Sequence, residues 1–208
     1  MPINYSKILP SWNLVFSEIQ EKISFYGSPE RSDFRIAIND KNGQIYVLEK
    51  INPHIALRKE EIAQHLFSLR QANPTLPIVA YLQNQENSFV SEIENEYWLL
   101  SPFVVGVSLD RIAYLDENWR GEVMANFILH FKNTADKIFS KPKNIFSLPE
   151  YVAKICADME KYNPQERKAL EQIIAHLQKN FFQIYDQIPT AFCHGDYHPI
   201  NIIWGEKE

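Results

Sequence analysis

His194-Gly195-Asp196-Tyr197-His198-Pro199-Ile200-Asn201, close to the C-terminal end of the 208-residue chain, is its most informative stretch. The fixed core H-G-D-x-x-x-x-N arises by chance in a chain of this size with odds of about one in a thousand at average residue usage. An Asp on a tight loop followed five residues later by an Asn places a carboxylate and an amide oxygen on one short turn. Moving a phosphoryl group to a hydroxyl needs both: a carboxylate to orient the hydroxyl and take its proton, and an oxygen ligand for a Mg²⁺ on the phosphates. Gly195 lets the turn close, and Ile202-Ile203-Trp204 reads as a buried strand anchoring it.

Working outward, the chain separates into a strand-rich first half and a helical second half. Leu14, Val15, Ile19 and Ile23 predict an amphipathic opening helix over Asn13–Phe25, ended by Gly27-Ser28-Pro29. Phe34, Ile36 and Ile38 then alternate with Arg35 and Ala37, and Asn39-Asp40-Lys41-Asn42-Gly43 has the composition of a tight hairpin turn. With a second strand over Ile45–Ile51, this predicts an antiparallel hairpin. A helix over Ala56–Gln71 is expected to turn Ile62, Leu66 and Leu69 inward. Two more strands are expected over Ile78–Gln83 and Glu96–Leu100, joined by a polar loop through Asn84 and Asn87. After Ser101-Pro102-Phe103-Val104-Val105-Gly106, helices are predicted over Trp119–Ile138, Tyr151–Tyr162 and Glu166–Tyr185. Short strands are expected around the His-Gly-Asp turn. This order predicts an α+β fold in two lobes, residues 1–100 and 101–208, meeting near Ser101, where a cleft would form.

Composition narrows the partners. With 45% hydrophobic and 23% charged residues the chain is ordinary globular material, and a net charge of -5 gives no basic surface for nucleic acid. Cys156 and Cys193 stand in no paired motif and are expected to be buried thiols. The N-terminus lacks a signal-peptide pattern, and no apolar run approaches the roughly twenty residues of a membrane span. The expectation is a soluble cytoplasmic protein.

The H-G-D-x-x-x-x-N segment resembles the catalytic loop of the aminoglycoside phosphotransferase and choline kinase families, small-molecule kinases with a protein-kinase-like fold. The resemblance runs from about Gly27 to the end of the chain. It implies an ATP- and Mg²⁺-dependent transfer of phosphate to a small-molecule alcohol, with Asp196 as catalytic base, Asn201 as a metal ligand and His194 as support for the loop. It further implies that Tyr46-Val47-Leu48-Glu49-Lys50 is the third strand of the nucleotide-binding lobe, with Lys50 on the phosphates. The following helix would supply a glutamate to pin that lysine. Glu60 and Glu61 both qualify, and Glu61 is preferred because it adjoins Ile62. Residues Tyr97–Leu109 resemble the last strand and hinge of that lobe, placing adenine against the backbone of Ser101 and Phe103. Gly27-Ser28-Pro29-Glu30-Arg31-Ser32 stands where the phosphate-covering loop would, with one glycine only.

In those families a second metal-binding Asp follows on the next strand, whereas this sequence ends at Glu208. The expectation drawn from this is an incomplete, catalytically incompetent form that self-associates through the exposed edge of Ile202–Trp204. Two other readings compete. His194, Asp196 and His198 form an H-x-D-x-H pattern that would suit a metal-dependent hydrolase. A non-catalytic, nucleotide-binding kinase-like fragment is the other.

Overall fold

The computed structural model describes residues 3–25, 34–107, 110, 117–139 and 146–206. They fall into two compact units, Met1–Ile138 with His194–Glu208, and Phe139–Cys193. The first is built on an antiparallel five-stranded sheet of order β1-β2-β3-β5-β4. Its strands are β1 (Phe16–Ile19), β2 (Phe34–Asp40), β3 (Ile45–Ile51), β4 (Ser91–Ile93) and β5 (Glu96–Pro102). The expected hairpin is the centre of this sheet, with Ile36 opposite Leu48 and Ala37 opposite Val47. Its turn is closed by Asp40, whose Oδ1 accepts the amides of Asn42 and Gln44 at 2.9 Å each. Gly43 takes the left-handed conformation the turn needs, at φ +76°.

Strand alternation gives the sheet two different faces. On one, Ile38, Leu48, Trp98 and Leu100 pack with Ile8, Leu9 and Trp12 from the N-terminal segment. That segment is α1 (Tyr5–Ile8) running into a short 3₁₀ turn, Leu9–Trp12. On the other face, Ile51 and Leu99 pack with Ala56 and Ala63 of α2 (Ala56–Ala72) and with Phe89. Each large side chain buried in this way contributes roughly 1.5–3 kcal/mol.

Asn52 opens the helical run before α2, its side chain accepting the amide of His54 at 2.9 Å with Pro53 at the first position. At the other end Asn73 donates to Thr134 of α3 (Asn118–Ile138) at 3.3 Å, tying the two helices together. The inward face of α2 is set by Ala56, Ala63 and Leu69, and Ile62 is exposed. Leu69 faces inward as expected, whereas Ala63 takes the inner place expected of Ile62.

Three other expectations are corrected. The opening helix over Asn13–Phe25 does not form: Asn13 adopts φ 58°, and the chain then enters β1, where Phe16 pairs with Asp40 and Ile19 with Ile38. Pairing with β2 overrides a weak helical periodicity. Ile78–Gln83 is not a strand of the sheet. Leu82 donates to Leu100 at 2.8 Å, but β4 takes the place beside β5. The long helix expected over Glu166–Tyr185 is broken into α5 (Pro164–Ala169), α6 (Glu171–His176), a π-helical turn (Leu177–Phe181) and a 3₁₀ turn at Tyr185–Gln187.

These last elements belong to the second unit, which opens with α4 (Leu148–Tyr162), N-capped by Ser147. Within it the Tyr185 hydroxyl donates to Phe146 O at 3.1 Å and accepts the amide of Leu148 at 3.0 Å. Cys156 is half-buried and Cys193 exposed, so neither is the buried thiol expected, and both are free. Among the described residues no helix is long and apolar enough to cross a membrane.

Candidate active site

The loop His194–Asn201 turns at Gly195, whose φ of +80° lies in the left-handed region. Any residue with a Cβ would be strained there by roughly 1–2 kcal/mol. Pro199–Asn201 forms a single 3₁₀ turn that brings Asn201 back over Asp196. The Asn201 side-chain amide donates to the Asp196 carbonyl at 3.0 Å and to Asp196 Oδ2 at 2.8 Å. The two fixed polar residues at the ends of D-x-x-x-x-N are therefore joined directly. Asp196 keeps half of its side-chain surface open to solvent.

Both ends of the loop are anchored. Tyr197 stacks on Phe127 of α3 with ring centres 5.3 Å apart, and the His194 ring meets the edge of Tyr197 at 5.9 Å. Burial pushes the Tyr197 phenol above its ordinary pKa, so the ring stays neutral in this packing. At the other end Trp204 is buried, donates its indole N–H to Pro199 O at 2.8 Å and meets Trp119 edge-on. Arg120 lies between the two indoles, 4.3 Å from one and 4.5 Å from the other. No strand forms around the turn, but Trp204 O accepts the amide of Val107 at 2.8 Å. The catalytic-type loop is thereby joined to the segment that leaves β5. A Cβ at Gly106 would stand 2.6 Å from Ile203 Cγ2, so glycine permits this approach.

The sequence-selected residues of the sheet are distributed differently. Lys50 lies opposite Trp98, on the face covered by α1, and its ammonium bonds Glu96 at 2.6 Å. Glu61 lies on α2, which covers the other face, so the structure does not bring Lys50 and Glu61 together. Glu60 accepts the backbone amides of Phe89 and Val90 at 2.7–3.1 Å. On the α2 side, Ile51 of β3 packs on the helix and Glu49 meets it with a charge. Its carboxylate accepts from Lys59 of α2 at 2.9 Å and from Arg35 of β2 at 3.0 Å. Sequence reasoning passed over this trio, although strand alternation puts Val47, Glu49 and Ile51 on one face and Leu48 and Lys50 on the other.

Ser101 pairs with Val47 at the end of β5. The Phe103 amide donates to Ile45 O at 3.1 Å, and its ring meets that of Phe25 edge-on with centres 6.5 Å apart. Gly27–Ser32 lies outside the described residues. The H-x-D-x-H pattern does not converge: His198 Nε2 is 3.5 Å from Asp196 Oδ1, while His194 is turned to Tyr197. Among the described residues no group of three or more His, Cys, Asp or Glu is placed to hold one ion. Asn201 Oδ1 is an oxygen of the type that could serve one position on a divalent cation.

The model of the phosphotransferase enzyme family APH matches residues 29–208. The chain belongs to this family. Comparison with curated proteins finds no match. Among solved structures it is similar to a spectinomycin phosphotransferase in complex with ADP and spectinomycin, with TM-score 0.56 and 14% identity, covering 100% of this chain and 67% of that one. It is also similar to an amicoumacin kinase in complex with AMP-PNP, Ca²⁺ and Ami, with TM-score 0.57 and 10% identity, covering 89% of this chain and 53% of that one. The chain thus spans between about half and two thirds of the length of these structures. The fold it shares with them is the kinase-like one, an antiparallel-sheet lobe followed by a helical part.

Proposed function

We propose that this chain carries the nucleotide-binding and phosphate-transferring part of a small-molecule kinase, moving the γ-phosphoryl group of ATP to a hydroxyl of a small-molecule alcohol. The observation that carries this reading is the contact of Asn201 with Asp196 across the Gly195 turn. It sets a half-exposed carboxylate beside a side chain whose remaining oxygen suits a metal.

In the proposed reaction the acceptor hydroxyl lies against Asp196. Its oxygen forms the new bond to the γ-phosphorus as the bond to the β,γ-bridging oxygen breaks. The electron pair leaves with ADP, and the hydroxyl proton passes to the Asp196 carboxylate. A bound Mg²⁺ supplies charge neutralisation on the phosphates. Asn201 both orients Asp196 and offers Oδ1 to that ion, and Gly195 permits the turn that makes this possible. Adenine is assigned to the end of β5, at the backbone of Ser101 and Phe103. Residues 1–100 then form the nucleotide-holding half and residues 101–208 the hinge and catalytic half.

The reading is tested by thermal unfolding with ATP, ADP or AMP, with and without Mg²⁺. A Mg²⁺-dependent rise in Tm with ATP is expected. No rise with any nucleotide, together with tight Zn²⁺ binding, would favour the hydrolase alternative instead.

A further inference from the structure

The two cationic clusters of the sheet differ in their charge balance. On the α1 face, Lys50 and Glu96 form a neutral one-to-one pair, with the Lys50 ammonium 6.0 Å from the Trp98 ring centre. On the α2 face, Arg35 and Lys59 share the single carboxylate of Glu49, so the trio carries one positive charge in excess. Glu49 is nearly enclosed, its side chain 5% exposed against 16% for Lys59 and 31% for Arg35. An excess positive charge beside a nearly enclosed carboxylate favours an added anion wherever the cation is still reachable from solvent. Arg35 is the member that can receive one. Its Nε is fixed on Glu49 Oε2 at 3.0 Å, which orients the planar guanidinium and directs its Nη groups elsewhere.

The position of the trio within the unit supports the same conclusion. Arg35, Glu49 and Leu99 are consecutive cross-strand neighbours on β2, β3 and β5. From Leu99, β5 runs directly into the Gly106–Val107 segment that pairs with Trp204. The helix that supplies Lys59 is tied through Asn73 and Thr134 to α3, whose Phe127 holds Tyr197 of the catalytic loop. The elements that bear the excess charge are therefore linked, through β5 and α3, to those that hold the Asp196 loop.

Resting on the kinase reading above, we propose that Arg35, held by Glu49 and Lys59, binds the nucleotide phosphates in this protein, and that Lys50 does not. The polarity of the strand–helix ion pair is then inverted relative to the expectation from sequence: the strand supplies the acid and the helix the base. Glu49 and Lys59 are positioning residues.

The test is calorimetric titration of the full 208-residue chain with ATP, ADP and adenosine in Mg²⁺, for wild type, Arg35→Ala, Arg35→Lys and Lys50→Ala. A charge-assisted hydrogen bond of about 1.5–3 kcal/mol converts to a roughly 10- to 150-fold loss of affinity. Arg35→Ala is expected to lose that factor for ATP and ADP while its affinity for adenosine is unchanged, a selectivity that a merely structural role for Arg35 would not produce. Arg35→Lys retains a cation for Glu49 without the guanidinium fork, so it is expected to lose less. It also serves as the test if the alanine variant does not fold. Lys50→Ala should stay within about twofold of wild type. Unchanged ATP affinity in both Arg35 variants, or a large loss in Lys50→Ala, overturns the proposal and leaves the kinase reading standing. A wild-type chain that binds no nucleotide overturns both.

Discussion

Asn201 holds Asp196 through two hydrogen bonds from one side-chain nitrogen, to the carbonyl oxygen at 3.0 Å and to the carboxylate at 2.8 Å. Both residues are exposed enough for this contact to be worth little to folding, about 1 kcal/mol at most. Its value is in aiming the carboxylate and leaving the amide oxygen outward. Asn201→Ala is expected to leave the unfolding midpoint nearly unchanged and to raise the Mg²⁺ concentration needed for half-maximal ATP binding. An unaltered Mg²⁺ dependence would show that Asn201 does not face the metal.

Gly106 is predicted to resist substitution for a steric reason. A Cβ there meets Ile203 Cγ2 at 2.6 Å and Trp204 O at 3.2 Å. Gly106→Ala should cost about 1–3 kcal/mol, the usual range for overpacking, measured by urea unfolding. Adding Ile203→Ala removes the nearer clash and should recover much of that loss. If the double variant is no better than the single one, the backbone of Trp204 is the obstacle.

The contrast between these two sites shows what could be read from sequence. Asp196 and Asn201 lie within eight residues on a local turn, so the motif spacing was enough to place them together, though not to show their direct contact or the 3₁₀ turn in place of strands. The β2–β3 hairpin was legible for the same reason, through Asp40 and Gly43. The approach of Gly106 to Ile203 joins segments almost a hundred residues apart, and nothing near Gly106 announces it. β1 was hidden likewise, because Phe16–Ile19 becomes a strand only by pairing with β2. The break between α5 and α6 at Leu170 carries no Gly or Pro in the sequence. The Arg35–Glu49–Lys59 trio was half-legible: alternation along Ile45–Ile51 assigns Glu49 to the helix side, but only the packing of α2 shows that Lys59 is there to meet it.

That trio makes a stability prediction of its own. Removing Glu49 leaves Arg35 and Lys59 close together around a hole with no counter-charge. Glu49→Ala should therefore lower stability by about 3–5 kcal/mol, as expected when one partner of a buried pair is deleted. A loss below about 1 kcal/mol in urea unfolding would mean that the pair is effectively solvated.

Tyr81 gives a pH signature for the same region. Burial, reinforced by the charge of Glu49 and opposed by Arg35, pushes its phenol up to about 12. The folded state then holds the proton more tightly than the unfolded chain, whose phenol titrates near 10. This contribution is complete below pH about 10 and is lost as pH rises through about 12, with a slope approaching about 1.4 kcal/mol per pH unit between them. Tyr81→Phe should flatten the decline of the urea midpoint across that window. Parallel curves for the two proteins would place the phenol in contact with water.

Asp196 is predicted to take the proton of an acceptor hydroxyl during phosphoryl transfer. The most direct measurement follows phosphomonoester formation from ATP by ³¹P NMR, with Mg²⁺ and a panel of small hydroxyl compounds, in the longest natural form of the protein and in its Asp196→Asn variant. The substitution preserves shape and the contact with Asn201 while removing the base. Phosphorylated product from wild type, with kcat reduced roughly 10²–10⁴-fold in a folded Asp196→Asn protein that still binds ATP, is the predicted result. Equal product formation by the two proteins would contradict the account.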